Sequence, residues 1–378
     1  MSKPRPQPDV LVLGSHPACY LATALLQEAG IATALATIPG TETPDRLVLI
    51  NPKLFELHKL TASLKKTTEL TPIHGLKFLA DDPATSSEYV SKSVSGYITS
   101  FSQIRSAAME QTRKAKIELI ESKEIEIQEA DEKGVALTIN GVAMRPKMLL
   151  VGGELAPQQR RILGLQKSWD AGVMKRYTFL RLKGAKWIDS SPKQTMPMSL
   201  DLNGQLHWGW LMPGTDQIQI AVEQTADTAG KRDPRELLTK WIEVLVKHQV
   251  LKTGGKPVDA SAAESIDLPL AGALSQEGVA NRTLLIGPAG GFYTACAEDI
   301  YPNCWSAHFA VEVAAKALKE RHLQDALGAY RETWGSTLGD YLRGPQENLR
   351  FLLPLVYRNS VMTARMGEAI LSGESVVR

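Results

Sequence analysis

Cysteine is scarce in this sequence, with three residues, Cys19, Cys296 and Cys304, in a chain of 378. An odd and small number of cysteines excludes a framework in which every cysteine is paired in a disulfide. Such frameworks are typical of small secreted domains. We therefore expect a protein of a reducing compartment and predict a cytoplasmic location.

Excess charge of one sign and long apolar runs are also missing. The formal net charge is +2, so the sequence predicts no basic face and no nucleic-acid partner. No stretch approaches the ~20 apolar residues of a membrane span. The apolar segment NLRFLLPLVYRNSVMTARMGEAIL near the C-terminus carries scattered arginines. It has two interpretations: a helical pair packed on the body, or an interfacial helix that makes peripheral membrane contact.

Apolar strands and amphipathic helices alternate at both ends of the chain. A strand at 10–13, a helix at 18–29 and a strand at 31–36 predict a βαβ unit. Near residue 285, RTLLIGPAGG predicts a buried strand followed by a glycine-rich turn, and a long helix follows. Between these ends, residues 177–222 alternate polar and apolar side chains, as an antiparallel sheet with one buried face does.

This order predicts an α/β fold, with a doubly wound domain interrupted by a second sheet domain. The predicted segments are 1–70, 95–170 and 277–325 for the doubly wound domain, 71–94 and 171–276 for the antiparallel-sheet substrate domain, and 326–378 for C-terminal helices.

Five stretches resemble, in order, the motifs of one group of flavin-dependent enzymes. The opening turn GSHPAC stands where dinucleotide-binding units carry three glycines. FSQIRSAA stands where flavin monooxygenases of the para-hydroxybenzoate hydroxylase type begin their Asp-Arg helix. MLLVGGELAPQQRRILGL is similar to their second glycine-bearing strand and Arg-Arg helix, and RTLLIGPAGG to their Gly-Asp-Ala-Ala-Gly segment. WGWLMP resembles the aromatic-x-Trp-x-Phe-Pro sequence of geranylgeranyl reductases and the Trp-x-Trp-x-Ile-Pro sequence of flavin-dependent halogenases.

The resemblance implies a Rossmann-like FAD-binding-type domain with FAD as cofactor. The expected cofactor-binding residues are Gly14, Gly287, Ala289 and Gly291. Several motif positions depart from the family: His16 and Cys19 replace the second and third glycines, Thr37 replaces the ribose-binding carboxylate, Glu154 begins what should be an Asp-Gly pair, and Pro288 replaces the ribityl-binding aspartate. We expect His16 and Cys19 to narrow the phosphate site. Since each lost polar contact costs roughly 1–1.5 kcal/mol, retention and loss of FAD are both open.

The loop after the last glycine turn, FYTACAEDIYPNC, carries reactive side chains where the family has glycines facing the flavin ring. Glu298 and Asp299 are the candidate catalytic residues, and Asn303 is the expected N-cap of the next helix. In the family the opening turn and this loop border one cleft. A metal or redox site there would draw on Cys19, Cys296, Cys304 and His16. The alternative is that the cysteines fill space as small hydrophobic residues.

Trp208 and Trp210 are two residues apart, so on a strand they share one face. In the families resembled, this face lines the cavity where an apolar substrate meets the flavin. Trp208, Trp210 and Pro213 are therefore candidate residues of a substrate pocket. The alternative is that they pack the core between sheet and helix.

Two functions from different classes follow. The first is a flavin-dependent oxidoreductase of monooxygenase or reductase type, acting on a bulky apolar small molecule such as an isoprenoid, a lipid or an aromatic compound. The second is a non-catalytic relative that has lost FAD and serves as a ligand-binding or assembly protein. A thiol or metal enzyme in the vacated cleft is a third alternative. The sequence predicts no oligomeric state.

Overall fold

A computed structural model describes residues 7–38, 44–165, 174–188, 193–202, 207–225, 233–252, 258–269, 278–293, 300–343 and 349–373. The chain begins with the predicted βαβ unit, β1 (Val10–Leu13), α1 (Pro17–Glu28) and β2 (Thr33–Ala36). All four side chains of β1 are buried, as expected for a strand that is covered on both faces.

A six-stranded sheet in the order β20-β21-β12-β1-β2-β8 forms the first part of the fold. Its other strands are β8 (Glu118–Ile120), β12 (Met148–Val151), β20 (Val279–Ala280) and β21 (Thr283–Leu285). All neighbouring pairs are parallel except β20 with β21. Strand β1 therefore lies in one sheet with the strand that precedes the glycine-rich turn, as the sequence predicts.

Alternate side chains of this sheet face two different layers. Val10, Val12 and Met148 belong to an apolar cluster with the helices, whereas Leu11 and Leu13 pack against a β-meander. The meander strands are β9 (Ile125–Asp131), β10 (Gly134–Ile139) and β11 (Val142–Met144). The helices are α2 (Lys59–Thr67), α3 (Phe101–Lys114), α4 (Pro157–Ile162), α5 (Pro234–Lys247), α6 (Ile300–Ala317), α7 (Leu323–Leu327), α8 (Ala329–Arg343), α9 (Leu349–Arg358) and α10 (Ser360–Ser372).

A seven-stranded sheet in the order β19-β13-β17-β16-β15-β5-β6 forms the second part of the fold. Its strands are β5 (Gly75–Leu79), β6 (Ser86–Val90), β13 (Met174–Lys183), β15 (Thr195–Ser199), β16 (Gly209–Pro213), β17 (Gln217–Thr225) and β19 (Glu264–Pro269). The sheet is antiparallel, as expected, except at one place. β5 pairs in parallel with β15, because the early segment joins the later strands at their edge.

Two short sheets complete the described fold. Strands β3 (Leu47–Ile50), β4 (Thr71–Ile73) and β7 (Gly96–Ser100) form one antiparallel sheet, and β14 (Lys186–Trp187) pairs with β18 (Leu251–Lys252). The strands of both large sheets fall inside the segments predicted for them, while the domain boundaries themselves stay a prediction.

Two helix starts show where local signals succeed and fail. Asn51 accepts a hydrogen bond from the N–H of Lys53 at 2.9 Å and so caps a 3-10 turn, Pro52–Glu56, while α2 starts afresh at Lys59. The prediction that Asn303 caps the long helix is wrong, because α6 already begins at Ile300. Ile300 and Tyr301 are buried, and this burial stabilises an earlier start.

The C-terminal segment forms the helical pair α9 and α10, which packs on the seven-stranded sheet through Leu353, Val356, Met366 and Ile370. Within the described ranges, no helix combines the length and the apolar character needed to cross a bilayer.

Candidate functional site

Two glycine-bearing turns lie at the carboxyl edge of the six-stranded sheet, where parallel-sheet proteins bind nucleotides. Gly14 follows β1 with a φ of 136°, and Gly287 and Gly291 follow β21 with φ of 53° and 65°. These conformations disfavour residues with a Cβ. The backbone conformation therefore favours glycine at each of these three positions.

The N-terminus of α1 is closed by its own residues. The buried imidazole of His16 accepts a hydrogen bond from the Ala18 N–H through Nδ1 at 3.1 Å, and the Cys19 N–H donates to the His16 carbonyl at 2.8 Å. Pro17 has no N–H. A phosphate binds a helix N-terminus through such N–H groups. In this conformation, none of the first three residues of α1 has an N–H group available to a phosphate.

Cys19 lies on the strand side of α1 and not in the phosphate site. Its Sγ is 2.8 Å from the place where a Gly14 Cβ would stand, and closer still to that of Gly152. The expectation that Cys19 narrows the phosphate site is therefore wrong, whereas His16 does occupy the helix end. Burial raises the pKa of the Cys19 thiol to about 12, so the thiol is neutral at physiological pH.

The described residues hold no group of three or more side chains that could ligate a metal ion. Cys19 and Cys304 are both buried in the helix-side apolar cluster. Cys296, Glu298 and Asp299 lie outside the described residues, so the candidate catalytic pair and the third cysteine stay predictions.

The ribose position at the end of β2 is engaged with a neighbouring strand. The Thr37 hydroxyl accepts a hydrogen bond from the Ser122 N–H at 3.1 Å, and the Ser122 hydroxyl donates to the Thr37 carbonyl. Thr37 thus fastens the turn after β8, where the family would present a carboxylate to a ribose. Glu154, at the end of β12, is exposed.

The second glycine turn also uses its donors internally. The Gly287 N–H donates to the Ser306 hydroxyl at 2.8 Å, and the Gly291 N–H to the Pro288 carbonyl at 2.9 Å. Pro288 itself offers neither an N–H nor a carboxylate. In this conformation the residues do not fit a tightly held FAD, because the pyrophosphate donor and the ribityl carboxylate are both missing. The cofactor-binding roles of Gly14, Gly287, Ala289 and Gly291 stay a prediction.

Trp208 and Trp210 lie together on one face of the seven-stranded sheet, in one buried cluster with Tyr177 and Phe179. We call these four residues the aromatic face. Trp210 stacks on Tyr177 with ring centroids 5.2 Å apart, and its buried indole N–H has no hydrogen-bond partner. Pro213 does not join them: it pairs with Ile218, which packs on the opposite side, under α5.

A buried ion pair borders the aromatic face, and the sequence interpretation missed it. Glu223 lies opposite Tyr177 in the β13–β17 register, and its N–H donates to the Trp208 carbonyl at 2.9 Å. Its carboxylate bonds the Lys175 ammonium, with side chains only 10% and 13% exposed. Burial raises the pKa of Glu223, and Lys175 acts in the opposite direction. Alternation could have revealed the pair, because Lys175 shares strand parity with Tyr177.

No family model matches the sequence, and no curated protein matches it significantly. Solved structures do match. The flavin-dependent brominase Bmp2 has a TM-score of 0.69 at 14% identity over 97% of this chain and 93% of that chain. A geranylgeranyl bacteriochlorophyll reductase-like protein from Thermoplasma acidophilum has a TM-score of 0.67 at 14% identity, covering 87% and 83%. PqsL, a probable FAD-dependent monooxygenase from Pseudomonas aeruginosa, has a TM-score of 0.61 at 15% identity, covering 91% and 98%.

Identities at this level establish a fold and no more. The three likenesses cover 87% to 97% of this chain. The chain therefore has the fold of the FAD-dependent oxidoreductases, the flavin-dependent halogenases and geranylgeranyl reductase-like proteins included.

Proposed function

We propose that this protein is an oxidoreductase of the flavin-dependent type that binds FAD as an exchangeable ligand and an apolar small molecule on its aromatic face. When bound, FAD supplies the electron and hydride chemistry. The observation that carries the proposal is the bond between the His16 imidazole and the Ala18 N–H. It replaces a phosphate as the hydrogen-bond acceptor at α1, and a side chain can rotate away.

The strength of FAD binding follows from what is kept and what is lost. The glycine conformations at Gly14, Gly287 and Gly291 are kept. Two or three polar contacts to FAD are lost, because His16 has to be displaced and Pro288 has no carboxylate. Each contact is worth roughly 1–1.5 kcal/mol. This corresponds to a Kd roughly 30- to 2000-fold weaker than that of a resident cofactor.

The aromatic face supports an apolar or aromatic substrate. Trp208 and Trp210 are large apolar side chains that are only 5% and 0% exposed, so a ligand has to displace residues packed on them, and the Trp210 indole N–H is a buried donor. The neighbouring Glu223 and Lys175 add a charged end. A planar ligand with one polar substituent matches this combination, since pockets of this kind use a few polar groups to orient an apolar ligand.

A second candidate is a ligand-binding protein that uses no flavin. It is favoured by the Gly287 turn, in which Ser306 holds the N–H of Gly287 and Pro288 contributes no donor. The two candidates share the aromatic face and differ only in whether FAD binds.

The test is a flavin titration of the purified protein. We expect a preparation without the ~450 nm flavin absorption, and saturable binding of added FAD by fluorescence quenching. His16→Gly frees the Ala18 N–H and should tighten Kd by about tenfold. Cys19→Ala is the matched control and should leave Kd unchanged, because Cys19 faces the strands.

Each other outcome decides against a named candidate. FAD that copurifies in stoichiometric amount contradicts the exchangeable ligand. No binding by the wild type or by His16→Gly contradicts any flavin role and leaves the ligand-binding protein.

A further inference from the structure

The C-terminal hairpin, α9 and α10 (residues 349–373), is apolar on its outward side. Phe351 is 80% exposed and Leu355 45% exposed on α9, and Val361 is 58% exposed at the start of α10. Phe351 and Leu355 are four residues apart and therefore neighbours on one helical face. The exposed Pro354 lies between them. Adjacent exposed residues of this size mark an interaction site rather than ordinary surface.

The inward side of the same hairpin is already satisfied within this chain. Leu353 and Val356 pack in the cluster that contains Trp208 and Trp210, and the Ser87 hydroxyl donates to the Val356 carbonyl at 2.8 Å. Helix α9 is thus apolar on two opposite sides. Since the inward side holds the hairpin on the sheet, the outward side is available to something outside the chain.

The charges on the outward side have one sign. Arg358 and Arg365 are exposed, whereas the acidic residue of the described hairpin, Glu368, is half-buried. Apolar side chains flanked by arginines are typical of helices that lie in the interface of an anionic membrane.

We propose that the C-terminal hairpin docks on an anionic lipid surface. Phe351, Leu355 and Val361 enter the boundary between headgroups and acyl chains, and Arg358 and Arg365 meet lipid phosphates. The docking surface shares no residue with the glycine turns, so vesicle binding is measured on the protein without added flavin.

The test is sedimentation of the full chain with phosphatidylcholine vesicles, with and without phosphatidylserine. We expect the protein to pellet with phosphatidylserine vesicles. Phe351→Ser with Leu355→Ser should lower the partition coefficient at least tenfold, since two apolar anchors are lost. Arg358→Gln with Arg365→Gln should lower it about fivefold per arginine on anionic vesicles and little on neutral ones.

Two control variants carry matched changes elsewhere. Val142→Ser alters a valine that is 62% exposed on β11, and Arg321→Gln alters an exposed arginine after α6. Both should pellet like the wild type. All variants are at exposed positions, so thermal unfolding should match the wild type and show that folding is intact.

Three outcomes overturn the proposal. The first is a wild type that stays in the supernatant with both vesicle types, and the second is a Phe351/Leu355 variant that pellets as well as the wild type. The third is a concentration-dependent dimer in sedimentation velocity, abolished by the same variant without any vesicle binding. That result would assign the outward side to contact between two copies of this chain.

Discussion

Single residues decide how close α1 approaches the sheet. Cys19 occupies the position where dinucleotide-binding units carry a glycine for helix–strand packing. Its sulfur fits because Gly14 and Gly152 on the facing strands have no side chains. The close contact between α1 and the strands is therefore kept here with a cysteine on the helix, because the facing positions are glycines.

This exchange predicts coupling between Cys19 and Gly152. Gly152→Ala places a Cβ against the Cys19 sulfur and should lower the free energy of unfolding by about 2–3 kcal/mol, as overpacking does. Cys19→Ala removes the sulfur, so the double variant should recover at least about 1 kcal/mol of that loss. Urea unfolding of the wild type, both single variants and the double variant measures the coupling. Additive losses would show that the two residues do not share this space.

The sequence predicts that the phosphate turn departs from the glycine motif, but not which of the two substituted side chains occupies the helix end. Both His16 and Cys19 break the glycine motif, and a motif alone does not say which side chain faces the ligand. The difference depends on helix phase: Cys19 faces the strands, whereas His16 precedes the helix and folds back on its end. The Thr37–Ser122 contact joins residues 85 apart, and no local pattern indicates it.

Strands and helices set the electrostatics of the aromatic face. Lys175 on β13 and Glu223 on β17 meet because the two strands pair with Tyr177 opposite Glu223. In that pairing, diagonal neighbours on one face are within reach of long side chains. The pair therefore joins the neighbouring strands β13 and β17 through charges that have little contact with water.

The raised pKa of Glu223 predicts a specific pH dependence of stability. Its pKa is raised in the folded protein, mainly by burial, so the folded state holds this proton more tightly than the unfolded state. The stabilising contribution is complete below the ordinary glutamate pKa of about 4.3. It is lost as the pH rises through the folded-state pKa.

Urea unfolding at a series of pH values measures this contribution as the free energy of unfolding of the wild type minus that of Glu223→Gln. This difference should fall with rising pH. In Lys175→Met the fall should extend to higher pH, because the cation that lowers the pKa is gone. A difference that stays flat or rises with pH would contradict the assignment.

At the scale of elements, hydrophobic periodicity predicts that a helix or strand exists better than it predicts where that element begins and ends. The first βαβ unit agrees with its pattern. The start of α6 does not, because buried Ile300 and Tyr301 extend the helix beyond the local cap signal at Asn303. Tertiary burial outweighs a capping preference worth about 1 kcal/mol.

For the molecule as a whole, a single amide ties the short sheet to the large one. The Gln219 Oε1 accepts the Leu47 N–H at 2.8 Å, and its Nε2 donates to the Leu47 carbonyl at 3.1 Å and to the Tyr177 hydroxyl at 2.9 Å. The Gln219 side-chain amide thus pairs with the backbone of Leu47, at the start of β3, as a residue of a neighbouring strand would. It holds the β3–β7–β4 sheet against the aromatic face.

Gln219→Leu should therefore lower the free energy of unfolding by about 2–5 kcal/mol, because two buried backbone groups of Leu47 lose their partner. Gln217→Leu, on the same strand and face, is the control. Its Oε1 has no hydrogen-bond partner, so the change should stay below about 1 kcal/mol. Chemical denaturation compares the two, and equal losses would rule out a tie specific to Gln219.

The doubly wound pattern and the alternating middle segment predict both large sheets, because each depends on local periodicity. The tie at Gln219 and the parallel pairing of β5 with β15 depend on segments more than 100 residues apart. Their side chains carry no mutual signal in one sequence. The outward apolar side of α9 stands between these cases: the apolar segment is visible in the sequence, but only the fold shows which residues remain uncovered.

The strand order of the six-stranded sheet has a consequence for biosynthesis. Once Val151 has left the ribosome, β12 pairs with β1, yet its other edge has no neighbour until Thr283 emerges. At 5–20 residues per second, this wait lasts roughly 7 to 26 s. During it the nascent chain exposes an open apolar edge, a template for aggregation. Transcripts that stop before β21 should yield insoluble fragments, and a chaperone that shields strand edges should raise the yield of the full-length product.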